Sequence, residues 1–330
     1  MNVLLLQLDG SLPNIALMRL AAHHRGQGDI VNLQQARKPS QIQRGLFDAW
    51  DLVYASLIFE RTKSLADEVL REFPQAIVGG TGWNDTTTLE GIGVTTTRQD
   101  YGDYPDYHHS IGYSQRGCTF NCSFCKVPRT EPGRPWSVNT ISGIWRGDQH
   151  PRNICLLDND FFGQKEWPER IEEIRAGKFK VCFNQGINVR TLNAEKSAAM
   201  ASVYYANADF TRRRIYTAWD NLADESTLFR GLQHLVDAGV RPGEIMVYVL
   251  VGYDHATKSG RPVLVDDDFY RCQKLVEFGA APYPMPFVRT KETVGFQRWF
   301  VRRDNFKVQW ERWVNQGYRP LTLTRGSNVG

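Results

Sequence analysis

Three thiols fall within eight residues: Cys118, Cys122 and Cys125, spaced C-x3-C-x2-C in the stretch GCTFNCSFCKVPRTEPG from Gly117 to Gly133. The next cysteine is Cys155. Thiolates placed this way on one loop can reach a single metal centre. A structural zinc ion wants four ligands, and the candidates for a fourth are His108, His109, His150 and Cys155. An iron–sulfur cluster usually takes four cysteines. Three would leave one iron open to a substrate or cofactor. Cys155, Cys182 and Cys272 stand in apolar strand or helix contexts and read as small core residues.

The elements that must carry this loop alternate. From residue 110 onward, strands are expected at 111–115, 153–157, 179–183, 213–217, 244–251 and 282–288. Helices are expected at 138–147, 166–176, 193–204, 224–238 and 266–278, with Asp224 and Gly239 bracketing the fourth as N-cap and C-terminal stop. Six such units predict a partial (β/α)6 TIM-like barrel, whose site lies at the C-terminal strand ends. Polar residues collect at those ends: Asp158, Asn159 and Asp160; Asn184, Gln185, Asn188 and Arg190; Asp220 and Asn221; Tyr253, Asp254 and His255; then Arg289. The first hundred residues carry a shorter alternation. Strands are expected at 3–8, 29–33, 52–59 and 76–82, with helices at 13–25 and 63–72. This predicts a small Rossmann-like parallel-sheet domain over 1–105, followed by the barrel over 106–290 and a C-terminal extension over 291–330. Gly102–Tyr107 reads as the linker. No internal repeat or low-complexity tract is present.

Bulk composition narrows the class. The 330 residues are 42% hydrophobic and 23% charged, as in an ordinary soluble protein. The opening apolar run is too short to span a bilayer and lacks the features of a signal peptide, so the expectation is a cytoplasmic protein with no membrane partner. Six cysteines at this length do not suggest a disulfide scaffold. The net charge of +4 is uneven. From Met285 onward nine Lys/Arg face three Asp/Glu, a net +6, which leaves the rest at −2.

With these residues in view, the chain resembles the radical S-adenosylmethionine (radical SAM) superfamily. Cys118, Cys122 and Cys125 match its cysteine motif, including the aromatic Phe124 before the last cysteine. Tyr113–Gly117 looks like the strand-one entry of the subgroup with an N-terminal cobalamin-binding-like domain. LLDNDFF (Leu156–Phe162), NQGINVRTL (Asn184–Leu192) and YTAWDN (Tyr216–Asn221) also have counterparts there. The resemblance covers roughly residues 1–290. It implies a [4Fe–4S] cluster on the three cysteines, with SAM chelating the open iron. One electron from a flavodoxin-type donor would cleave SAM to a 5′-deoxyadenosyl radical, which takes hydrogen from the substrate. By the same analogy Phe124 would sit against SAM, with Asp158 and Asn159 meeting its amino group; Asp220 is a further cofactor-binding candidate. Gln185 and Arg190 would take ribose and carboxylate, Arg190 being suited to a bidentate contact.

Cobalamin-binding relatives carry D-x-H-x-x-G. Here the near match, Ala21–Gly26, lacks the Asp, and His23 reads as a residue of a helix end. No cobalamin is expected. The tail interleaves Phe296, Trp299, Phe300, Phe306, Trp310, Trp313 and Tyr318 with arginines and lysines. Such a segment can pair with phosphates and stack on bases, or dock its aromatic face on the barrel. The chain is also similar to phage-associated radical SAM enzymes of thymidine hypermodification. That resemblance implies an isomerase-type reaction on an amino-acid-modified thymine in DNA, with Asp160, Asp254, His255 and Arg289 facing the substrate. The alternatives are a peptide or small-metabolite substrate, and a non-enzymatic metal module.

Overall fold

The computed structural model describes residues 1–42, 49–84 and 86–318. They form two compact units. The first is residues 1–111 with two returning segments, 126–132 and 148–151. The second is 112–125, 133–147 and the chain from Arg152 onward.

The first unit is a parallel α/β sheet. Strands β1 (Asn2–Gln7), β2 (Ile30–Gln35), β3 (Leu52–Ser56) and β4 (Ile77–Gly79) lie in the order β2-β1-β3-β4. Val3–Leu6 is apolar on both faces, as a central parallel strand requires, and all four residues are buried. Helix α1 (Ile15–Gly26) starts on Asn14, whose side chain accepts from Leu17 N, and His23, His24 and Arg25 fill its last turn. α2 is Lys63–Glu72. Strand β3 stops three residues before its expected end. The Asp9 carboxylate takes the amides of Ile58 (2.7 Å) and Phe59 (2.9 Å) and so draws them out of the ladder. β4 likewise ends at Gly79. Gly80 has φ +100°, and a Cβ there would stand 2.2 Å from Leu57 O. His24, not His23, is the buried histidine: its ring nitrogens meet Asp29 at 2.8 Å and the Tyr54 hydroxyl at 3.2 Å.

Beyond the first sheet the described residues form two larger sheets and two two-stranded ladders. β5 (Ser110–Gly112), at the crossing from the first unit, opens the series. It is followed by the antiparallel pair β6 (Gln115–Arg116) and β7 (Trp136–Ser137), between which the chain runs through the cysteine loop; the short helix α3 (Val127–Thr130) belongs to the segment 126–132 of the first unit. Then come α4 (Ile141–Ile144), β8 (Asn153–Leu156), α5 (Trp167–Ala176), β9 (Lys180–Phe183), α6 (Ala194–Ala201), β10 (Tyr204–Tyr205), β11 (Ile215–Ala218), α7 (Glu225–Asp237) and β12 (Ile245–Val251). The small ladder of β13 (Tyr253–Asp254) and β14 (Ser259–Gly260) precedes α8 (Asp266–Phe278) and β15 (Ala281–Pro286). The strands order as β10-β9-β8-β5 and β11-β12-β15, and β8–β9–β10 and β11–β12–β15 run parallel. They are hydrogen-bonded as two sheets rather than as one continuous ladder.

Two expected helices are shorter than their pattern. The one over 138–147 is a single turn, Ile141–Ile144, capped by the Thr140 hydroxyl on the amide of Gly143; the chain turns extended at Trp145 (ψ 136°) and Gly147 follows at φ +96°. The one over 193–204 stops at Ala201 because Tyr204 and Tyr205 pair with Lys180 and Val181 as the edge strand β10. Gly239 ends α7 at φ +97° as expected. Asp224 holds the N-cap position, but its carboxylate makes no cap and pairs with Arg190 instead. Cys155 and Cys182 face each other across β8 and β9, and with Cys272 they are buried in the core.

The aromatic tail joins this core. In α9 (Lys291–Val301) Phe296 and Phe300 are buried. In α10 (Trp310–Asn315) Trp313 is fully buried, and its Nε1 donates to Gly295 O at 3.1 Å. Trp299 and Trp310 close a ring network with Phe269 and Phe296. Arg298, Arg302 and Arg303 are exposed. Arg319 and Arg325 of the basic tail, and the side chain of Phe306, lie outside what is described. Among the described residues no helix is long and apolar enough to cross a membrane.

Candidate functional site

The cysteine loop begins at Gly117. Its φ is +77°, and a Cβ would press within 2.8 Å of the Trp136 ring, so glycine is required where the chain leaves β6. Beyond it the loop is fastened from three strand ends. After β8, the Asp160 Oδ2 accepts from Thr119 N (3.0 Å) and Thr119 Oγ1 (2.5 Å). After β9, the Arg190 guanidinium lies 3.9 Å over the Phe120 ring. After β12, the Tyr253 hydroxyl meets Ser123 Oγ at 3.0 Å, and the Phe124 ring stands edge-on to Tyr253 and His255. Inside the loop, Cys125 N donates to Cys122 O, and Phe120 N donates to Cys118 Sγ at 3.5 Å. Thr119, Phe120 and Ser123 lie between the cysteines and carry no chemistry of their own. Sequence spacing gave no reason to name them, and their task emerges only from the strand ends they touch.

Several residues expected to face a cofactor or substrate have other work. Asp158 is buried. Its oxygens take Ser114 N at 2.7 Å and Gln115 N at 3.1 Å and share a short hydrogen bond with Ser114 Oγ. Burial pushes its carboxyl up to about 7. It thus ties the approach to the cysteine loop onto the end of β8. Asn159 is half-buried on the same turn, and Phe124 packs T-shaped against two protein rings. Asp160 is fully buried behind the loop rather than in an open cavity, with Oδ1 lacking a partner among the described residues. Arg190 spends Nη1 on Asp224 at 2.8 Å and Nε on Asn188 at 3.1 Å, so part of its guanidinium is already committed within the protein. Gln185 is exposed on the turn after β9. Arg289 is exposed beyond β15 and does not line the cavity described next.

That cavity, of about 290 Å³, opens at the C-terminal ends of β11 and β12. It gathers Asp220, Tyr253, Asp254, His255, Arg261 and Arg271. The Asp220 carboxyl is raised chiefly by burial, although it accepts from Leu250 N at 3.2 Å. His255 Nε2 donates to Asp220 O at 2.8 Å, which leaves Nδ1 as the acceptor in the neutral ring. Asp254 is held below the usual carboxylate range by the amides of Ala256 and Thr257, so it serves the turn. Arg271, unflagged by the sequence, is the rigid floor. It donates to the carbonyls of Trp219, Asp220 and Leu250 and pairs with the fully buried Asp268 at 2.8 Å. Arg261 donates to Tyr253 O and keeps a buried Nε without a partner among the described residues.

The three loop cysteines fit a cluster in donor chemistry. Cys122 and Cys125 stand close enough to Cys118 for their charge to oppose its ionisation. Burial, the larger cause, pushes the Cys118 thiol up to about 11. A cationic centre reverses both effects, because metal binding draws the proton from its thiol ligands. The fit is one of residue type and shared loop. Among the described residues no three His, Cys, Asp or Glu side chains are gathered around one point as a metal-holding group. The buried Cys155, in β8, is no candidate for a fourth ligand. No known protein-family model matches the chain, and no curated protein matches it.

Proposed function

We propose that the protein is a radical SAM enzyme built on a partial barrel, with a cobalamin-domain relative at its N-terminus that binds no cobalamin. The observation that carries this reading is the C-x3-C-x2-C loop held from the ends of β8, β9 and β12 by Asp160, Arg190 and Tyr253. Cys118, Cys122 and Cys125 would hold a [4Fe–4S] cluster. When bound, cluster and SAM supply a 5′-deoxyadenosyl radical on one-electron reduction by a flavodoxin-type donor, and the radical takes hydrogen from the substrate. The chain's own residues do the positioning. Asp158 and Asp160 fix the loop, Tyr253 and His255 brace Phe124, and Arg271 locks the ends of β11 and β12 together. Asp220, His255 and Arg261 offer a carboxyl, an imidazole and a guanidinium to a substrate carrying both an amine and a carboxylate.

Such a substrate agrees with an amino-acid-modified thymine in phage DNA, rearranged by an isomerase-type reaction in the cytoplasm. Exposed Arg298 and Arg302 could serve its phosphates, whereas the packed aromatic rings of the tail lend base stacking no support. The same cavity chemistry favours a free amino-acid-like metabolite or a peptide as the second reading. The test is anaerobic reconstitution with iron and sulfide. The protein should take up about four irons and cleave SAM to 5′-deoxyadenosine, and Cys122→Ala should lose both. Uptake of zinc in place of iron, with no SAM cleavage, would end the proposal. Reaction with thymine-modified oligonucleotide against free amino acid separates the two substrate readings.

A further inference from the structure

A second cavity, of about 360 Å³, lies at the opposite ends of the same strands, where β11, β12 and β15 begin. Arg212, Arg214 and Arg303 line it together with Met246, Tyr283 and Asn305, and no carboxylate is among the described residues of its wall. Arg214 is only 8% exposed. Its Nη1 donates to Gly243 O at 3.1 Å, but its buried Nε has no partner among the described residues. The nearby acid, Glu244, is engaged elsewhere: it pairs with Arg241 and accepts from the Tyr205 hydroxyl at 2.6 Å. A buried guanidinium with an unmade hydrogen bond and two like charges beside it is costly by itself. Burial, Arg212 and Arg303 all act to depress its pKa. An oxyanion relieves all of these costs at once, and three guanidinium groups present the fork geometry that phosphate accepts. In the same wall Asn305 keeps a buried Oδ1 without a partner among the described residues, an acceptor for a donor group on the ligand. Met246 and Tyr283 supply an apolar wall.

We infer that this cavity binds a small phosphate ester. Its phosphate would sit on Arg212, Arg214 and Arg303, a hydroxyl or amine would reach Asn305, and its organic body would rest against Met246 and Tyr283. The site is separate from the cysteine loop and does not rest on the radical chemistry. Calorimetric titration of the full-length protein at low salt tests it, with inorganic phosphate, adenosine 5′-monophosphate and a short oligothymidylate as probes. The monophosphate ester should bind more tightly than inorganic phosphate, and Arg214→Gln should weaken it by about tenfold or more. Because a change at Arg214 could disturb the fold, the exposed Arg303→Ala is the second variant, and it should weaken the ester in the same direction without lowering the melting temperature. Absence of ester binding to the wild type, or binding indifferent to both variants, overturns the inference. Tight oligothymidylate binding lost in Arg303→Ala, with no binding of the monophosphate, overturns it in favour of a nucleic-acid contact. Ester binding no tighter than that of inorganic phosphate overturns the assignment of an organic body.

Discussion

Ser123 and Tyr253 are 130 residues apart in the chain and meet hydroxyl to hydroxyl at 3.0 Å. One lies between the second and third cysteines of the loop, and the other is the first polar residue beyond β12. The bond couples the conformation of Cys122 and Cys125 to the second sheet of the unit. Tyr253 is buried and its ring also supports Phe124, so its hydroxyl can be removed without emptying the core. Tyr253→Phe should keep its melting temperature within a few degrees yet lower the fraction of protein that retains iron. A net hydrogen bond of about 1 kcal/mol corresponds to roughly fivefold in the competent loop population. Ser123→Ala should do the same, and the double variant should be no worse than either single one. Iron content after desalting is the measurement, and additive losses would show that the two hydroxyls act separately.

The Asp158 carboxyl carries a pH signature. Its unfolded value is about 3.9, and burial raises the folded value to about 7. The folded state therefore holds the proton more tightly. Stability from this group is fully present below pH 4 and is lost as pH rises from about 4 to about 7, by an upper limit of about 4 kcal/mol. In the neutral form Oδ1 still accepts the amides of Ser114 and Gln115, while the carboxylic O–H can donate to Ser114 Oγ. Asparagine reproduces that pattern with Nδ2 as the donor. Asp158→Asn should therefore fold and should be the more stable protein at pH 8. Its melting temperature should fall less between pH 5 and pH 8 than that of the wild type. Parallel curves for the two proteins would refute the buried, protonated acid.

Arg271 and Asp268 give a prediction about the floor of the cavity. Both are buried, 2.8 Å apart, and the arginine also donates to four carbonyls, those of Asp267, Trp219, Asp220 and Leu250. Arg271→Ala leaves the buried Asp268 carboxylate with only Arg261, 3.9 Å away, and the amides of Gly252 and Val265, takes a donor from four carbonyls, and should cost about 3–5 kcal/mol in denaturant unfolding. Adding Asp268→Asn to it should recover part of that loss, since the uncompensated charge is then gone. No recovery would place the cost in the carbonyls instead.

How much of this was legible beforehand follows from the kind of signal each element leaves. β12 and α8 were evident because seven apolar residues in a row and an acid-led amphipathic run are local patterns. β10 was not. Tyr204–Tyr205 is a strand only because Val181 and Lys180 stand beside it, and two residues carry no period of their own. The cysteine loop could be read from thiol spacing, but what holds it could not. Thr119, Ser123 and Phe120 matter through partners 41, 130 and 70 positions away. Asp160 and Arg190 stand at strand ends, where their contacts run to Thr119 and Phe120 of the cysteine loop. Sequence gives a residue's position on a strand, whereas the choice between facing a cavity and clamping a loop depends on the neighbouring strand.

The C-terminal segment separates packing from binding. Trp313 is fully buried with its indole N–H satisfied by Gly295 O, and Gly295 itself has no room for a side chain, since a Cβ would lie 2.1 Å from the Tyr318 ring. Trp313→Ala should lose about 3–5 kcal/mol of unfolding free energy, the usual cost of emptying an aromatic core site. Any loss of DNA affinity should follow the unfolded fraction and vanish at temperatures where the variant remains folded. Arg298 and Arg302 are exposed and should behave in the opposite way. Replacing both with Ala should leave unfolding unchanged within about 0.5 kcal/mol. If the substrate base lies within DNA, the pair should weaken binding to every sequence alike and flatten the slope of log affinity against log salt by about one unit for each arginine that neutralises a phosphate. The target atom of a base lies inside the duplex, so single-stranded or mismatched DNA should react at least as well as matched duplex. An unchanged salt slope in the double variant, with SAM cleavage stimulated by a free amino acid rather than by DNA, would make the amino-acid-like metabolite the substrate.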